Sequence, residues 1–549
     1  MMPRVQCKID GFLYSLCFEK RTAEVVDCYD WRLIVYKIPS TITYQNTLFK
    51  VIRIGSAAFR DHKFVNIEIP DTIRTIGNYA FEHCHNLESL EIPNSVIEIG
   101  FGAFSECYSL KTVLLPKYLD SIERALFCNC RSLESILMPN STIEIGNSAF
   151  RSCKSLKSFT IPSTVRHIGT DAFRECTSLT SIYIPRCVES ISGNVFGDCT
   201  NLNSIQVDKF NRYYNSLGNC NAIIETATNT LITGCQHTII PNSVVQIGEA
   251  AFFGSKIQRV IIPETVKIIR IHAFTCCSEL LEVNIGNGVK RIIEYAFSNC
   301  PSLQSVAIGT GLTNIDRDAF SGCNSLMSII IDSNNPTYDS RNNCNAIIET
   351  ATNTLVIGCR NTKIPDSVIA IGKAAFYRCS HLQSIFIPDS VESIKNEAFS
   401  DCYSLESVAI GKGLTNLEEN AFRCCHALSS IVIDCNNPRY DSRDNCNAII
   451  ETDTNTLVTG CKDTKIPKSI TKIGIRSFEG CWFSNPIILP SSITYIEHHA
   501  FCNSKWVEIH YVGTQEQWHK IEKGKDWINI HSIKSICCID GEIHPNTII

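Results

Sequence analysis

The chain has 549 residues, of which 44% are hydrophobic and 19% charged, and its formal net charge is −5. This charge balance gives no general attraction to nucleic acid or to an anionic membrane. A membrane-spanning helix needs about 18 consecutive apolar residues, and the sequence has no run of that length. We therefore expect neither nucleic-acid binding nor membrane insertion, and any partner must be recognised locally.

The first 50 residues differ from the rest of the chain. Their apolar and polar positions alternate as in a small antiparallel sheet, which predicts an N-terminal β cap over residues 1–50. The apolar stretch at residues 11–18 is too short for a membrane span, and no small-residue cleavage site follows it. No signal peptide is expected.

Residues 51–512 repeat one motif, which contains a phenylalanine in about sixteen copies. Successive phenylalanines are 22 or 23 residues apart, except at three gaps of 56. The sixteen positions are Phe59, Phe81, Phe104, Phe127, Phe150, Phe173, Phe196, Phe252, Phe274, Phe297, Phe320, Phe376, Phe399, Phe422, Phe478 and Phe501. A constant short period predicts a solenoid, in which each coil buries its apolar face against its neighbours.

One unit, LESLEIPNSVIEIGFGAFSEC from Leu87, shows how the motif specifies a coil. L-x-x-I-x-I alternates like a half-buried strand, and the proline that follows ends the strand because it has no N–H for the ladder. Glycine permits a bend, and A-F is expected to begin a short helical turn. The prediction is an α/β solenoid with parallel strands and an apolar core of Leu, Ile, Val and Phe.

Three inserts interrupt the repeat near residues 208–241, 332–365 and 434–467, and each contains the octapeptide NCNAIIET. Apolar NAIIE, a polar turn and apolar TLxxGC predict a β-hairpin that continues the solenoid as an enlarged coil. The cluster Asp332, Asn334, Asn335 and Asp339 resembles calcium ligands but lacks the glycine and terminal glutamate of a loop site. A turn capped by these side chains is the favoured alternative.

Thirty cysteines occur, and thirteen of them lie three residues after a repeat phenylalanine. Parallel Cβ vectors at equivalent positions suit a disulfide torsion poorly, so this column is expected to hold free thiols that act as small hydrophobes and weak S–H donors. Oxidative pairing is the alternative. The insert pairs, each fifteen residues apart, are better disulfide candidates: Cys220 and Cys235, Cys344 and Cys359, Cys446 and Cys461.

Residues 513–549 depart from the repeat and are expected to form a C-terminal cap that covers the last coil. Trp506, Trp518 and Trp527 lie in or just before this segment. We expect packing rather than ligand binding from tryptophans in a cap.

The repeat resembles the treponemal-type leucine-rich repeat of the BspA-like family over about residues 51–512. That resemblance implies a horseshoe with a parallel sheet on its concave side and short helical turns on its convex side. It also implies a bacterial or protist surface or secreted protein that binds host proteins or other cells. Because no signal peptide or membrane anchor is visible, a cytoplasmic location stays open.

The fifth position of L-x-x-I-x-I faces outward on the concave sheet and is apolar in many coils. A protein partner is favoured for this column, with glycan binding, a spacer role or mere strand propensity as alternatives, and the oligomeric state is left open. The candidate partner-binding residues are Leu114, Leu137, Tyr183, Ile261, Ile330, Phe386 and Val432.

Nothing in the sequence indicates catalysis. Motifs for a serine hydrolase, a P-loop, a zinc protease or a dinucleotide site do not occur, so a non-enzymatic protein without a cofactor or metal is expected. Two groupings contain metal-ligating residue types, His83 to His85 and His498 to Cys502, but neither has a second pair at zinc spacing.

Overall fold

A computed structural model of the chain describes residues 5–29, 35–483, 485–505, 507–529 and 533–543. Trp506 lies outside the described residues. The chain forms two compact units, one of Met1–Gln258 with Thr265–Ser278 and the other of Arg259–Glu264 with Glu279–Ile549. Both units are stacks of coils, in which almost every coil contributes two short strands.

The first strand of each coil comes from L-x-x-I-x-I and pairs in parallel with its neighbours, as Thr112–Leu114 does with Ser89–Glu91 and Ser135–Leu137. First strands of the N-terminal unit are Asn66–Glu68, Ser89–Glu91, Thr112–Leu114, Ser135–Leu137, Ser181–Ile184 and Ser204–Val207. Those of the C-terminal unit are Arg259–Ile262, Glu282–Ile285, Ser305–Ile308, Ser328–Ile331, Ser384–Ile387, Ser407–Ile410, Ser430–Ile433 and Ile487–Pro490. The parallel-strand solenoid is confirmed.

A second, two-residue strand follows the valine position in each coil and forms another parallel ladder, which the sequence analysis did not predict. In the N-terminal unit these strands are Thr75–Ile76, Glu98–Ile99, Ser121–Ile122, Glu144–Ile145, His167–Ile168, Ser190–Ile191, Gln246–Ile247 and Ile268–Ile269. In the C-terminal unit they are Arg291–Ile292, Asn314–Ile315, Ala370–Ile371, Ser393–Ile394, Asn416–Leu417, Lys472–Ile473 and Tyr495–Ile496. The first residue of each strand is the more exposed one and is polar in most coils, whereas the Ile or Leu that follows faces inward.

Apart from the 3-10 helix Arg317–Phe320, the A-F segments of the described coils form tight turns, so a short helix in each coil is not confirmed. The amide of Phe81 donates to the carbonyl of Ala103 in the next coil, whereas the amide of Cys84 donates back to Phe81. Tyr79 and His83 take left-handed backbone angles, with φ of 55° and 61°, which turn alternate amides toward the neighbouring coil. An α-helix would direct every amide four residues back and leave none for that coil. The fold is therefore nearly all strand instead of α/β.

Helix is confined to five short segments within the described ranges. Gln515–Lys520 is α-helical and begins with a capping box at Thr514. The other four are 3-10 helices, at Leu217–Asn219, Arg317–Phe320, Arg341–Asn343 and Arg443–Asn445.

The repeat phenylalanines form a stacked column inside the coils. From Phe59 to Phe196, successive rings lie 5.1 to 5.6 Å apart with planes within 14° of parallel. In the C-terminal unit Phe297 and Phe320 stack at 5.2 Å, and Phe297 is fully buried. Offset aromatic stacking adds to the burial of each ring, so this column contributes strongly to coil stability.

The cysteine column lies beside the phenylalanines, and its thiols cap backbone carbonyls. Cys130 Sγ donates to the carbonyl of Phe104 in the preceding coil at 3.1 Å, and Cys153 donates to Phe127 at 3.2 Å. Two coils have serine instead, at Ser255 and Ser504, and Ser504 Oγ donates to the carbonyl of Phe478 at 2.8 Å. In most coils the residue three after phenylalanine therefore supplies a second donor to a carbonyl that already accepts a turn amide, as Phe127 does from Cys130.

All thirty cysteines are free thiols, including the insert pairs. Burial raises the pKa of Cys107 to about 12, and that of Cys199 to about 12 as well. We predict that the column thiols resist alkylation at pH 8 in the folded protein, whereas the exposed Cys435 reacts. Thirty thiols should titrate in urea without reductant; a smaller number that rises on reduction would contradict free thiols.

Each insert adds an antiparallel hairpin whose last strand joins the second-strand ladder. In the first insert Ala222–Glu225 pairs with Thr230–Gly234, which pairs in parallel with Gln246–Ile247. The other hairpins are Ile347–Glu349 with Thr354–Ile357 and Ile449–Glu451 with Thr456–Thr459. A short strand precedes each, at Tyr214–Asn215, Tyr338–Asp339 and Tyr440–Asp441. The inserts are thus enlarged coils.

Strands also form both ends of the described chain. At the N-terminal end they are Val5–Ile9, Phe12–Cys17, Thr22–Cys28, Val35–Lys37, Thr41–Tyr44 and Thr47–Ile54. At the C-terminal end they are Val507–Val512, Glu522–Lys523, Ile533–Cys538 and Gly541–Ile543. Trp518 and Trp527 are buried there, with ring centroids 6.1 Å apart, so both tryptophans serve packing.

Candidate binding surface

The outer face of the first strands carries the predicted binding residues. Within Thr112–Leu114, Val113 points into the core and Leu114 points out, because side chains alternate along a strand. All seven candidates are exposed, from 49% for Tyr183 to 78% for Leu137. The structure therefore presents each of these side chains to solvent.

The seven residues lie on four separate groups of strands. Leu114 and Leu137 are direct neighbours on paired strands, and Glu91 is the next residue in the same row. In the C-terminal unit, Phe386 and Val432 are joined through the half-buried Ala409. Tyr183 lies on a two-stranded pair beside Gln206.

The column of apolar fifth-position residues is interrupted along the first strands. Ile261 and Ile330 are separated by Asn284 and Ala307 on the two intervening strands. Residues 158–161 form no strand, so the row is also broken between Leu137 and Tyr183. In that coil Phe159 fills the isoleucine position and packs against Phe150 and Phe173.

One groove in the N-terminal unit combines two predicted residues with charged groups. Its volume is about 900 Å³. Leu114 and Leu137 line one end, and Glu68 and Glu91 line the other. Rim residues follow the prolines that end each strand, at Asp71, Asn94, Lys117 and Asn140. The groove is therefore apolar at one end and acidic at the other.

The charged end is only partly neutralised. Glu68 Oε2 lies 2.9 Å from Lys37 Nζ, and both side chains are exposed. Glu91 and Asp71 have no ion-pair partner within the described ranges. Glu68 and Glu91 occupy the same outward fifth position as the apolar candidates, and this was the signal in the sequence for a mixed surface.

Tyr183 connects the first-strand face to the first insert. Its hydroxyl donates to Asp208 Oδ2 at 2.8 Å, and this hydrogen bond raises the pKa of Tyr183. Asp208 also accepts the amide of Phe210, which together with Tyr183 lowers the pKa of its carboxyl. The hydrogen bond to Asp208 therefore fixes the hydroxyl of Tyr183, while about half of the side chain is exposed.

The possible calcium ligands instead make hydrogen bonds and an ion pair within the insert and to the preceding coil. Asp332 Oδ1 accepts from the amide and side chain of Asn334, at 2.9 and 3.0 Å. Asn335 Nδ2 donates to the carbonyls of Gly309 and Leu312. Asp339 pairs with Arg341, with Nε 2.8 Å from Oδ1. Burial would raise the pKa of Asp339, but its hydrogen bonds to Arg341 outweigh that effect and lower it.

The two histidine–cysteine groupings likewise point in different directions. Cys84 is in the core and donates to the carbonyl of Phe59, whereas His83 lies 3.2 Å from Asp61. His498 Nδ1 lies 3.3 Å from the carbonyl of Lys525. Among the residues that the structure describes, no group of three or more His, Cys, Asp or Glu is arranged to hold a metal ion.

No helix in the described part of the chain has the length and apolar character needed to cross a bilayer. Among curated proteins, none matches this chain.

Solved structures to which this chain is similar include two bacterial proteins. A leucine rich cell surface protein from Faecalibacterium prausnitzii A2-165 is 26% identical, covering 75% of this chain and 94% of its own, with a TM-score of 0.51. A leucine-rich repeat protein from Bacteroides ovatus ATCC 8483 is 22% identical, covering 97% of this chain and 100% of its own, with a TM-score of 0.40.

The repeats themselves match a family model described as a BspA type leucine rich repeat region. Matched residues are 52–177, 120–234, 231–347, 356–447 and 458–525, which together include most of the chain. The resemblance in the repeat motif is thereby confirmed, and the chain belongs to the BspA type leucine rich repeat family.

Proposed function

We propose that this protein is a non-enzymatic scaffold that binds a protein partner through the outer face of its first strands. The groove with Glu68 and Glu91 at one end and Leu114 and Leu137 at the other carries the proposal. Leu114 and Leu137 lie on adjacent strands and are 52% and 78% exposed, so neither side chain packs in the core. A partner that covers them would remove apolar surface from water at about 25 cal/mol per Å².

An adhesion or cell-interaction role at a cell surface fits this scaffold. The similar Faecalibacterium protein is described as a cell surface protein. Stacked coils offer an extended surface that suits macromolecular partners better than small molecules. A glycan partner has less support, because Tyr183 is held by Asp208 and Phe386 is the other aromatic candidate of the column.

We predict that replacing Leu114 and Leu137 together with lysine leaves the fold intact and weakens capture of a cell-surface protein at least tenfold. Both positions are exposed, so the change costs little stability, while charged side chains cannot enter an apolar contact. Capture on intact cells followed by quantitative mass spectrometry measures the effect.

Ile97→Lys provides the matched control. Ile97 is 61% exposed and lies just before the second strand Glu98–Ile99, outside the groove. Unaltered capture by the Leu114 and Leu137 variant, or equal loss with Ile97→Lys, would reject the groove as the binding surface.

A further inference from the structure

The three inserts can be compared directly because they share one backbone arrangement. In each, a serine hydroxyl accepts an amide of the preceding first strand at 3.0 Å: Ser216 from Val207, Ser340 from Ile331 and Ser442 from Ile433. The amide two residues before the closing proline also donates to the equivalent cysteine carbonyl in all three, from Ile239, Lys363 and Lys465. The residues that differ between the three inserts are therefore not needed to form this backbone arrangement.

The first insert alone is apolar at four exposed positions. Phe210, Tyr213, Leu217 and Ile239 have exposures between 47% and 77%. The second insert has Asn334, Thr337, Arg341 and Lys363 at these places, and the third has Asn436, Arg439, Arg443 and Lys465. Since two inserts keep the same arrangement with polar residues, the apolar side chains of the first are available for an interaction outside the coil.

The first insert also has the opposite charge. Residues 208–219 contain one aspartate, one lysine and one arginine, a formal charge of +1. Residues 332–343 contain two aspartates and one arginine, and residues 434–445 contain three aspartates and two arginines, so each is −1. Lys209 and Arg212 have no carboxylate partner within the described ranges, and Lys209 Nζ lies 4.9 Å from the Phe210 ring centroid.

The groove of the same unit has the complementary pattern. Glu91 and Leu114 are direct partners on adjacent strands, which lie about 5 Å apart. Lys209 and Phe210 likewise place a cation beside an exposed ring. A loop with Lys209 at Glu91 and Phe210 at Leu114 would join opposite charges and apolar surfaces in one contact.

We propose that the first insert of one molecule docks into the groove of a second copy of this chain, with Lys209 at Glu91 and Phe210 at Leu114. This inference rests on the proposed function, because it names the occupant of the same groove. The two contacting surfaces differ, so the contact is head-to-tail and leaves a free insert at one end and a free groove at the other. Repetition of the contact adds further molecules, as an open chain or, where its rotation closes, as a ring.

Sedimentation velocity of the full chain over a range of micromolar concentrations tests the proposal. The weight-average sedimentation coefficient should rise with concentration, and less steeply in 0.5 M salt, which screens the ion pair. Glu91→Lys and Lys209→Glu should each raise the dissociation constant at least tenfold. The double variant, which restores opposite charges, should recover most of the association.

A substitution set within the insert separates its surface from its fold. Phe210→Asn, Tyr213→Thr, Leu217→Arg and Ile239→Lys together install the residues of the second insert and should abolish association. Lys363→Ala, at the place in the second insert that corresponds to Ile239, should leave association unchanged. Circular dichroism confirms that each variant keeps its strands.

Three results would overturn self-association: a monomeric wild-type chain at all concentrations, indifference to Glu91→Lys, or no recovery in the double charge variant. A monomeric chain that still captures a cell-surface protein through Leu114 and Leu137 would overturn this inference and leave the proposed function standing. If the chain associates but its capture of other proteins does not depend on Leu114 and Leu137, the proposed function is rejected for foreign partners only.

Discussion

Replacing Phe297 with alanine should lower the free energy of unfolding by about 3 to 5 kcal/mol. Phe297 is fully buried, and its ring stacks on Phe320 at 5.2 Å with the planes 8° apart. Alanine would leave a ring-sized cavity between coils that cannot collapse, because the backbones on either side are joined by hydrogen bonds, including that from the amide of Phe297 to the carbonyl of Ala319.

Urea unfolding monitored by circular dichroism measures this loss, and hydrogen exchange at coils around residue 297 shows where it acts. Local exchange is informative here, because repeat arrays need not unfold in one step. Phe386→Ala is the matched control, since that ring is 62% exposed, and its effect should be below about 1 kcal/mol. If Phe297→Ala lowers the free energy of unfolding no more than the control does, the claim that the stacked column stabilises the coils is contradicted.

Asn437→Ala should destabilise the third insert by about 2 to 4 kcal/mol, because it leaves several buried backbone groups without partners. The Asn437 side chain is buried, and its Nδ2 donates to the carbonyls of Gly411 and Leu414. Its Oδ1 accepts the amides of Arg439 and Tyr440 at 3.0 and 2.8 Å. Four backbone groups thus depend on one amide side chain.

The neighbouring Asn436 supplies the control for this prediction. Asn436 is exposed, and its side chain donates to Asp434 Oδ1 at 3.0 Å. Asn436→Ala should change stability by less than about 0.5 kcal/mol. Hydrogen exchange of the amides of Arg439 and Tyr440 provides a local readout; equal protection in the two variants would show that Asn437 does not hold the insert in place.

The repeat period predicted the stacked coils, the inward phenylalanines and the insert hairpins, because each follows from the spacing of apolar residues. The tight turns were not predictable in the same way. Phenylalanine and cysteine three residues apart fit one turn of helix as well as they fit two successive tight turns. The left-handed angle at Tyr79 has no signal in residue type, whereas the position of His83 is Asn, Asp or Gly in several other coils, which was a signal for the turn.

Outward positions on the strands were also predictable, because alternation sets them. How these outward residues group on the surface was not predictable. It depends on which strands are paired and on which residue each coil has at its solvent-facing position. Asn284 interrupts the row between Ile261 and Ile330 without any cost to the core. The acidic end of the groove arises because Glu91 falls in register with Leu114, which requires the pairing to be known.

Site-specific photo-crosslinking tests the central claim most directly. A benzophenone side chain at Leu137 and, in a separate variant, at Ile97 samples the groove and an exposed site outside it. Incubation with intact cells and irradiation should give a discrete protein adduct from position 137 and none from position 97. Adducts of the same identity and yield from both positions, or from position 97 alone, would contradict binding through the first-strand face.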